Sequence, residues 1–304
     1  MTEKLAVLDL GTNTFHLLIL EFQEDGQFTE HFRERRFIKL AENGIEKIGA
    51  QPFSRAVATM QDFAKILEEQ QVDRVFAFGT AALRTASNGP TLANTILEKT
   101  GIKVDIIDGN REAALIHKGV QLAVPFDQEN RLIMDIGGGS VEFIIANQDR
   151  VQWAESFPIG VAILYNGFHN TEPISTESQE ELHAFIDQKL GALAAALLQF
   201  PCKDLVGASG TFDVIENLLA ESKAGPHHAF VAANQLGILK DKVLAATLEE
   251  RRNMPGIPLD RSDMIVVAVL LIEYIIEVAH IERIIISEFA LKEGVLAELR
   301  ETTS

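Results

Sequence analysis

The sequence predicts an α/β protein of two related domains, each built on a mixed sheet flanked by helices. Three observations carry this. A length of 304 residues suits two domains that each bury a core. A strand, an Asp, a Gly-bearing loop and a second strand occur twice, at Leu5–Thr14 and at Leu132–Glu142, with Asp9 and Asp135 126 residues apart. The order β-β-β-α-β-α follows from each copy, as expected of a duplicated fold.

Strands are expected at about 5–10, 15–22 and 27–37, where β-branched and aromatic residues are frequent and Glu24-Asp25-Gly26 turns the chain. A helix over Pro52–Gln71 follows from the spacing of Phe53, Val57, Met60, Phe63, Ala64 and Leu67. A strand over Val72–Gly79 precedes helical stretches at Ala81–Arg84 and Leu92–Lys99, with Asn88-Gly89-Pro90 as a turn between them. A strand at Lys103–Ile107 leads into a helix over Asn110–Leu122. The second half repeats the order, with strands near 131–136, 140–147 and 150–157, helices near 175–199, a strand at 204–208 and a helix at 211–221. Helices at about 233–247 and 262–279, a strand at Arg283–Ile286 and a helix from Ala290 complete the chain. The expected division is 1–118 with the last helix, about 289–304, returning to it, and 119–288 as the second domain.

Composition narrows the function. Hydrophobic residues at 47% and charged residues at 23% are ordinary for a soluble protein. The single cysteine, Cys202, excludes an internal disulfide and reads as a small buried apolar residue. Met264–Ala279, interrupted by Glu273, is too short to span a bilayer and reads as a core helix. With no signal peptide in the sequence, a cytoplasmic location is expected. A net charge of -17 repels nucleic acid and anionic membrane, so neither is an expected partner. An anionic ligand must then be held by local amides, arginines and a divalent cation.

Five segments carry the chemistry. Glycine lets backbone N–H groups approach an anion, and nearby hydroxyls add donors. Asp9-Leu-Gly-Thr-Asn-Thr alone could be a capped hairpin turn. Its twin, Asp135-Ile-Gly-Gly-Gly-Ser, favours a phosphate clamp made of two facing loops. Gly79-Thr80 delivers a strand to a helix start, where Thr80 is an N-cap or part of an anion site, and Arg84 is a solvated charge or a phosphate ligand. In Asp108-Gly-Asn-Arg-Glu112, Glu112 either pairs with the helix macrodipole or orients and deprotonates a water. Val206-Gly-Ala-Ser-Gly-Thr211 is a further strand, Gly turn and helix start. It lacks Gly-x-Gly-x-x-Gly, and no P-loop pattern exists, so dinucleotide and P-loop sites are disfavoured. Arg33, Arg35, Arg36 and Lys39 read as a solvated strand face beside Glu30 and Glu34, and Arg251, Arg252 and Arg261 form a second basic group. The histidines show no zinc spacing.

Asp9-Leu-Gly-Thr-Asn-Thr, Gly79-Thr-Ala-Ala-Leu-Arg84, Asp108-Gly-x-x-Glu112-Ala, Asp135-Ile-Gly-Gly-Gly-Ser-Val-Glu142, Gly207-Ala-Ser-Gly-Thr211 and Leu291-Lys-Glu-Gly294 occur in order. The chain thereby resembles the exopolyphosphatase/guanosine pentaphosphate phosphohydrolase family, in its short two-domain form. The resemblance implies duplicated actin-like (ribonuclease H-like) domains with the active site in the cleft between them. It also implies a hydrolase that removes terminal phosphate from polyphosphate or guanosine pentaphosphate. By position, Gly11, Thr12, Asn13 and Thr14 match one phosphate loop and Gly137, Gly138, Gly139 and Ser140 the other, with Arg84, Gly210 and Thr211 as further phosphate contacts. Glu112 matches the catalytic base, and Asp135 the acid that helps hold Mg²⁺ (or another divalent cation) and water. Asp9 and Glu142 complete the metal-holding acids. A phosphorylated small molecule or polyphosphate is the implied partner, and a homodimer is the assembly this reading allows.

The chain departs from the family pattern at four positions. His16 and Ile163 stand where arginines are usual, Arg111 replaces a Glu, and Lys292 replaces an Arg. A conditional cation at His16 and none at Ile163 point toward a shorter phosphorylated substrate or weak activity. A non-enzymatic phosphate or nucleotide sensor and an actin-like small-molecule kinase are the alternatives.

Overall fold

The computed structural model describes residues 3–23, 28–220 and 222–303. The turn expected at Glu24-Asp25-Gly26 lies outside them. Contacts divide the chain into one unit of Met1–Glu112 with Val295–Ser304 and another of Ala113–Gly294. The sequence division places these junctions at 118 and 289. By contacts they lie at 112 and 294, each a few residues away and inside a helix, where no composition change marks them.

The first unit begins with β1 (Lys4–Leu10), β2 (Thr14–Phe22) and β3 (Phe28–Phe37), an antiparallel meander. Then come α1 (Ala50–Glu69), β4 (Arg74–Gly79), α2 (Ala81–Thr85), α3 (Gly89–Thr100) and β5 (Val104–Ile106). The sheet order is β3-β2-β1-β4-β5, with β4 parallel to both β1 and β5. One face of the sheet places Ala6, Leu8, Leu10, Phe15, Leu17 and Ile19 in a core with Met60 and Phe63 of α1 and Leu92 and Ile96 of α3. Gly89-Pro90, expected as a turn, opens α3 instead. Proline's fixed φ and missing N–H suit a helix's first turn, where no intrahelical bond is lost.

The second unit starts within α4 (Gly109–Ala123) and repeats the plan. It has β6 (Arg131–Ile136), β7 (Val141–Ala146), β8 (Val151–Phe157), α5 (Val161–Phe168), α6 (Thr176–Lys189), α7 (Gly191–Gln199), β9 (Asp204–Ala208) and α8 (Gly210–Leu219). After these come β10 (Lys223–Gly225), β11 (His228–Ala232), α9 (Leu236–Ala245), α10 (Leu248–Arg252), α11 (Ile265–Ala279), β12 (Arg283–Ser287) and α12 (Leu291–Thr303). Its sheet order is β10-β11-β12-β9-β6-β7-β8. The run β8-β7-β6-β9-β12 thus repeats β3-β2-β1-β4-β5, with β11 and β10 added at the far edge. The helices expected near 175–199 are α6 and α7, which part at Leu190. Helix α11 is buried in the second core, and no helix of the described residues is long and apolar enough to cross a membrane. Cys202 is buried, and burial pushes its thiol up to about 12, leaving it inert as a nucleophile. Arg33 pairs with Glu30, and Arg36 with Glu34 and Asp62, as a solvated strand face should.

Candidate functional site

The two hairpin loops are built alike. In the first, the N–H of Gly11 donates to the Thr14 carbonyl at 3.1 Å. In the second, the N–H of Gly137 donates to the Ser140 carbonyl at 3.0 Å. Each loop's carbonyls are then engaged from behind. Thr12 O accepts from Leu40 N at 2.7 Å, and Asn13 O accepts from Ile38 N (2.8 Å) and Lys39 N (3.0 Å). Gly137 O and Gly138 O accept from Val161 N (3.0 Å) and Ala162 N (2.9 Å) in the first turn of α5. Across a planar trans peptide, the C=O of one residue and the N–H of the next point in opposite directions. The N–H groups of Asn13, Thr14, Gly138 and Gly139 therefore point away from the segments that hold their loops. Beside them, Thr12 Oγ1 is buried and has no hydrogen-bond partner among the described residues. An unsatisfied buried hydroxyl is costly, and a bound acceptor would relieve it.

The residues facing each Asp across its ladder differ. Asp9 on β1 pairs in register with His16 on β2, whereas Asp135 on β6 pairs with Glu142 on β7. Glu142 is buried, and its Oε1 accepts from Ser140 Oγ at 2.6 Å and from Ser156 Oγ at 2.7 Å. Like charges opposite each other on a strand pair repel. Asp135 and Glu142 are thus the facing pair that could hold a cation, while at the first loop a histidine occupies the facing place. Among the described residues, no three His, Cys, Asp or Glu side chains form a metal cage on their own. Two carboxylates suit Mg²⁺, which keeps several waters and takes its other ligands from substrate phosphate.

Glu112 sits in the first turn of α4, where Asp108 Oδ1 accepts from Arg111 N at 2.8 Å as the N-terminal cap. Its side chain is buried, and its Oε2 accepts from Arg84 Nη1 at 2.9 Å. The same nitrogen donates to Ile107 O at 2.9 Å. The structure thus brings two of the expected residues together as an ion pair. Arg84 fixes the carboxylate's rotamer and keeps a buried charge compensated. Thr80 occupies the residue before α2, yet its side chain makes no capping bond. In the same first turn of α4, Arg111 forks onto Glu298 of α12 at 2.7 and 2.5 Å.

Gly210 and Thr211 open α8, whose first N–H groups lack intrahelical acceptors. The residue before them, Ser209, adopts φ 86°, a region worth about 1–3 kcal/mol of strain. Its Oγ donates to Ile136 O at 3.0 Å, immediately ahead of the Gly137 loop. The sequence motifs give Arg261 no role, but its guanidinium lies on this helix start. A Cβ added at Gly210 would stand 2.1 Å from Arg261 Nη2. Only the close approach that glycine permits reveals this contact, and sequence spacing carried no sign of it. Ile163, which stands where the family pattern usually has an arginine, is half-buried in the first turn of α5.

Two mixed sheets of repeated strand order, each with an Asp–Gly loop on its first hairpin, define a duplicated actin-like (ribonuclease H-like) protein. The chain belongs to the Ppx/GppA phosphatase family, which matches residues 19–303. It is 28% identical over 299 residues to exopolyphosphatase 1 of Mycobacterium tuberculosis, covering 96% of this chain and 87% of that protein. The crystal structure of an exopolyphosphatase from Cytophaga hutchinsonii superposes with a TM-score of 0.93 at 36% identity, over 99% of this chain and 98% of that one. The Aquifex aeolicus family member shares the fold, with a TM-score of 0.81 at 20% identity over 100% of this chain and 99% of that one.

Proposed function

We propose that the protein removes the terminal phosphate from inorganic polyphosphate, with guanosine pentaphosphate as the runner-up substrate. The observation that carries this reading is the pair of like-built loops, whose carbonyls are engaged from behind so that the N–H groups that follow point the other way, beside the buried, unsatisfied Thr12 hydroxyl. Similarity to two exopolyphosphatases supports the inorganic chain over the nucleotide.

Phosphoryl transfer to water needs placement and charge neutralisation more than covalent chemistry. The loop amides, that of Ser140 among them, and the Thr12 and Thr14 hydroxyls bind phosphate oxygens, while the Ser140 hydroxyl stays on Glu142. Arg84 holds Oε2 of Glu112, and the carboxylate accepts a proton from the attacking water. The new P–O bond forms as the bond to the bridging oxygen breaks, and the shortened chain leaves with that oxygen. Asp135 and Glu142 are the residues that would hold Mg²⁺, which when bound neutralises phosphate charge. Ser140, tied to Glu142, links that pair to the second loop. Arg261 and the start of α8 receive a phosphate that does not react. Such local positive groups are needed for a polyanion to approach a chain of net charge -17.

The test is phosphate release from short and long polyphosphate, guanosine pentaphosphate and ATP, with Mg²⁺ and after chelation. Release from polyphosphate without an added acceptor, lost on chelation and restored by Mg²⁺, supports the proposal. Consumption of ATP only with an acceptor would instead mark a kinase, and binding without release a sensor. Glu112→Gln should lower turnover about 10²-fold or more with affinity retained. Equal turnover would remove Glu112 as the base.

A further inference from the structure

Arg251 on α10 is the largest side chain in the described structure with no exposed surface. Its Nε donates to Ser262 O at 2.8 Å and its Nη1 to Ala246 O at 2.6 Å. These carbonyls stand at the two ends of the excursion between α9 and α11, and Arg261 is the residue before Ser262. The third arm, Nη2, donates to Glu172 Oε1 at 2.8 Å. Glu172 also meets His169 Nε2 at 3.3 Å, and His169 caps the C-terminus of α5. The imidazole is buried, with its ring edge against Tyr165, and burial holds it below its ordinary pKa. It is therefore neutral near pH 7 and leaves the Glu172 charge to Arg251.

The two ends of this cluster reach the two anion-facing parts of the second unit. Helix α5 holds the Gly137 and Gly138 carbonyls at its start and His169 at its end. The excursion pinned by Arg251 lays Arg261 on Gly210, and Ser209 returns to Ile136 beside the same loop. A buried ion pair contributes little net stability against apolar replacements, so its better-attested use is to fix one arrangement among several.

We propose that the buried Arg251–Glu172 pair is a positioning device that sets Arg261, and with it the grip on the substrate's non-reacting phosphates, in register with the second phosphate loop. The inference rests on the polyphosphatase reading above. Neither residue touches substrate. Their effect passes through Arg261.

The experiment is a double-mutant cycle between Glu172→Gln and Arg261→Ala, read as KM, kcat and equilibrium binding of medium-length polyphosphate. Arg251→Lys is a second entry to the same cycle, and thermal unfolding establishes that each variant is folded. Alone, Glu172→Gln should raise KM and the dissociation constant about tenfold with kcat changed less than about threefold. On the Arg261→Ala background it should add almost nothing, because residues acting as one unit are not additive. Arg251→Lys keeps the charge but loses the planar fork, so it should fall in the same direction. Penalties that add fully on the Arg261→Ala background, or folded variants with wild-type KM, overturn the inference and leave the function standing. Wild-type protein that neither binds nor cleaves polyphosphate overturns both.

Discussion

Replacing Gly160 by alanine should disable the second phosphate loop while leaving the fold in place. Gly160 immediately precedes α5 and lies against the loop. A methyl there would stand 2.4 Å from the carbonyl carbon and oxygen of Gly138 and 2.5 Å from Gly139 N. Non-bonded contacts of this kind settle near 3.5 Å, so the loop must retreat by roughly 1 Å. A misplacement of about that size can cost about 10² in rate, since catalytic groups must be held within about 0.5 Å. The retreat also stretches the bonds from Val161 N and Ala162 N to the loop carbonyls, at 3.0 and 2.9 Å. At about 1 kcal/mol each they account for roughly 2 kcal/mol of stability, a fall in Tm of roughly 4–8 °C. The assay is phosphate release from polyphosphate beside thermal unfolding, with Gly167→Ala as the control. Gly167 lies in the same helix and an added Cβ there meets nothing within 4 Å. Gly160→Ala with wild-type kcat and KM would refute the claim that the loop amides are held in place by α5.

Three further outcomes are expected. Arg84→Ala leaves the buried Glu112 carboxylate without its cation and should reduce phosphate release by more than about tenfold, measured as initial rates at neutral pH. His16→Arg places a permanent cation across from Asp9 and should lower KM for polyphosphate about three- to tenfold, measured from initial rates. Acid should destabilise the fold through His117 and His169. Burial holds both below their ordinary value of 6.5, so the folded state binds fewer protons than the unfolded one. Stability is then fully present above pH 6.5 and falls on acidification by up to about 1.4 kcal/mol per pH unit per proton. Denaturant melts of His117→Gln and His169→Gln at pH 7.5, 6 and 5 should show a shallower pH slope than the wild type.

The sequence made the repeated Asp–Gly hairpins legible because a turn with special backbone needs writes its residues consecutively. The helix start that carries Glu112 was legible for the same reason, though the Asp108 cap was not. Short edge strands were not. Lys223–Gly225 and His228–Ala232 are too brief to show a two-residue period; the β12 edge pairs with His228–Ala232, and that strand in turn pairs with Lys223–Gly225. Gly89-Pro90 carries the same letters as a turn and a helix start, and only the helix that follows decides between them. Arg251 and Arg261 looked like members of one basic surface group. Arg251 is instead buried against Glu172, 79 residues away, and nothing local in the sequence encodes that contact.

The unit that holds Met1–Glu112 also holds Val295–Ser304, and the Arg111–Glu298 fork joins residues 187 apart. Ribosomes add roughly 5–20 residues per second. The 182 residues of Ala113–Gly294 therefore separate the two parts of that unit by roughly 10–40 s of synthesis. During this time Arg111 waits without its carboxylate, and the second unit, encoded without interruption, can fold first. The unit that carries Glu112 can be completed only after all of Ala113–Gly294 has been made.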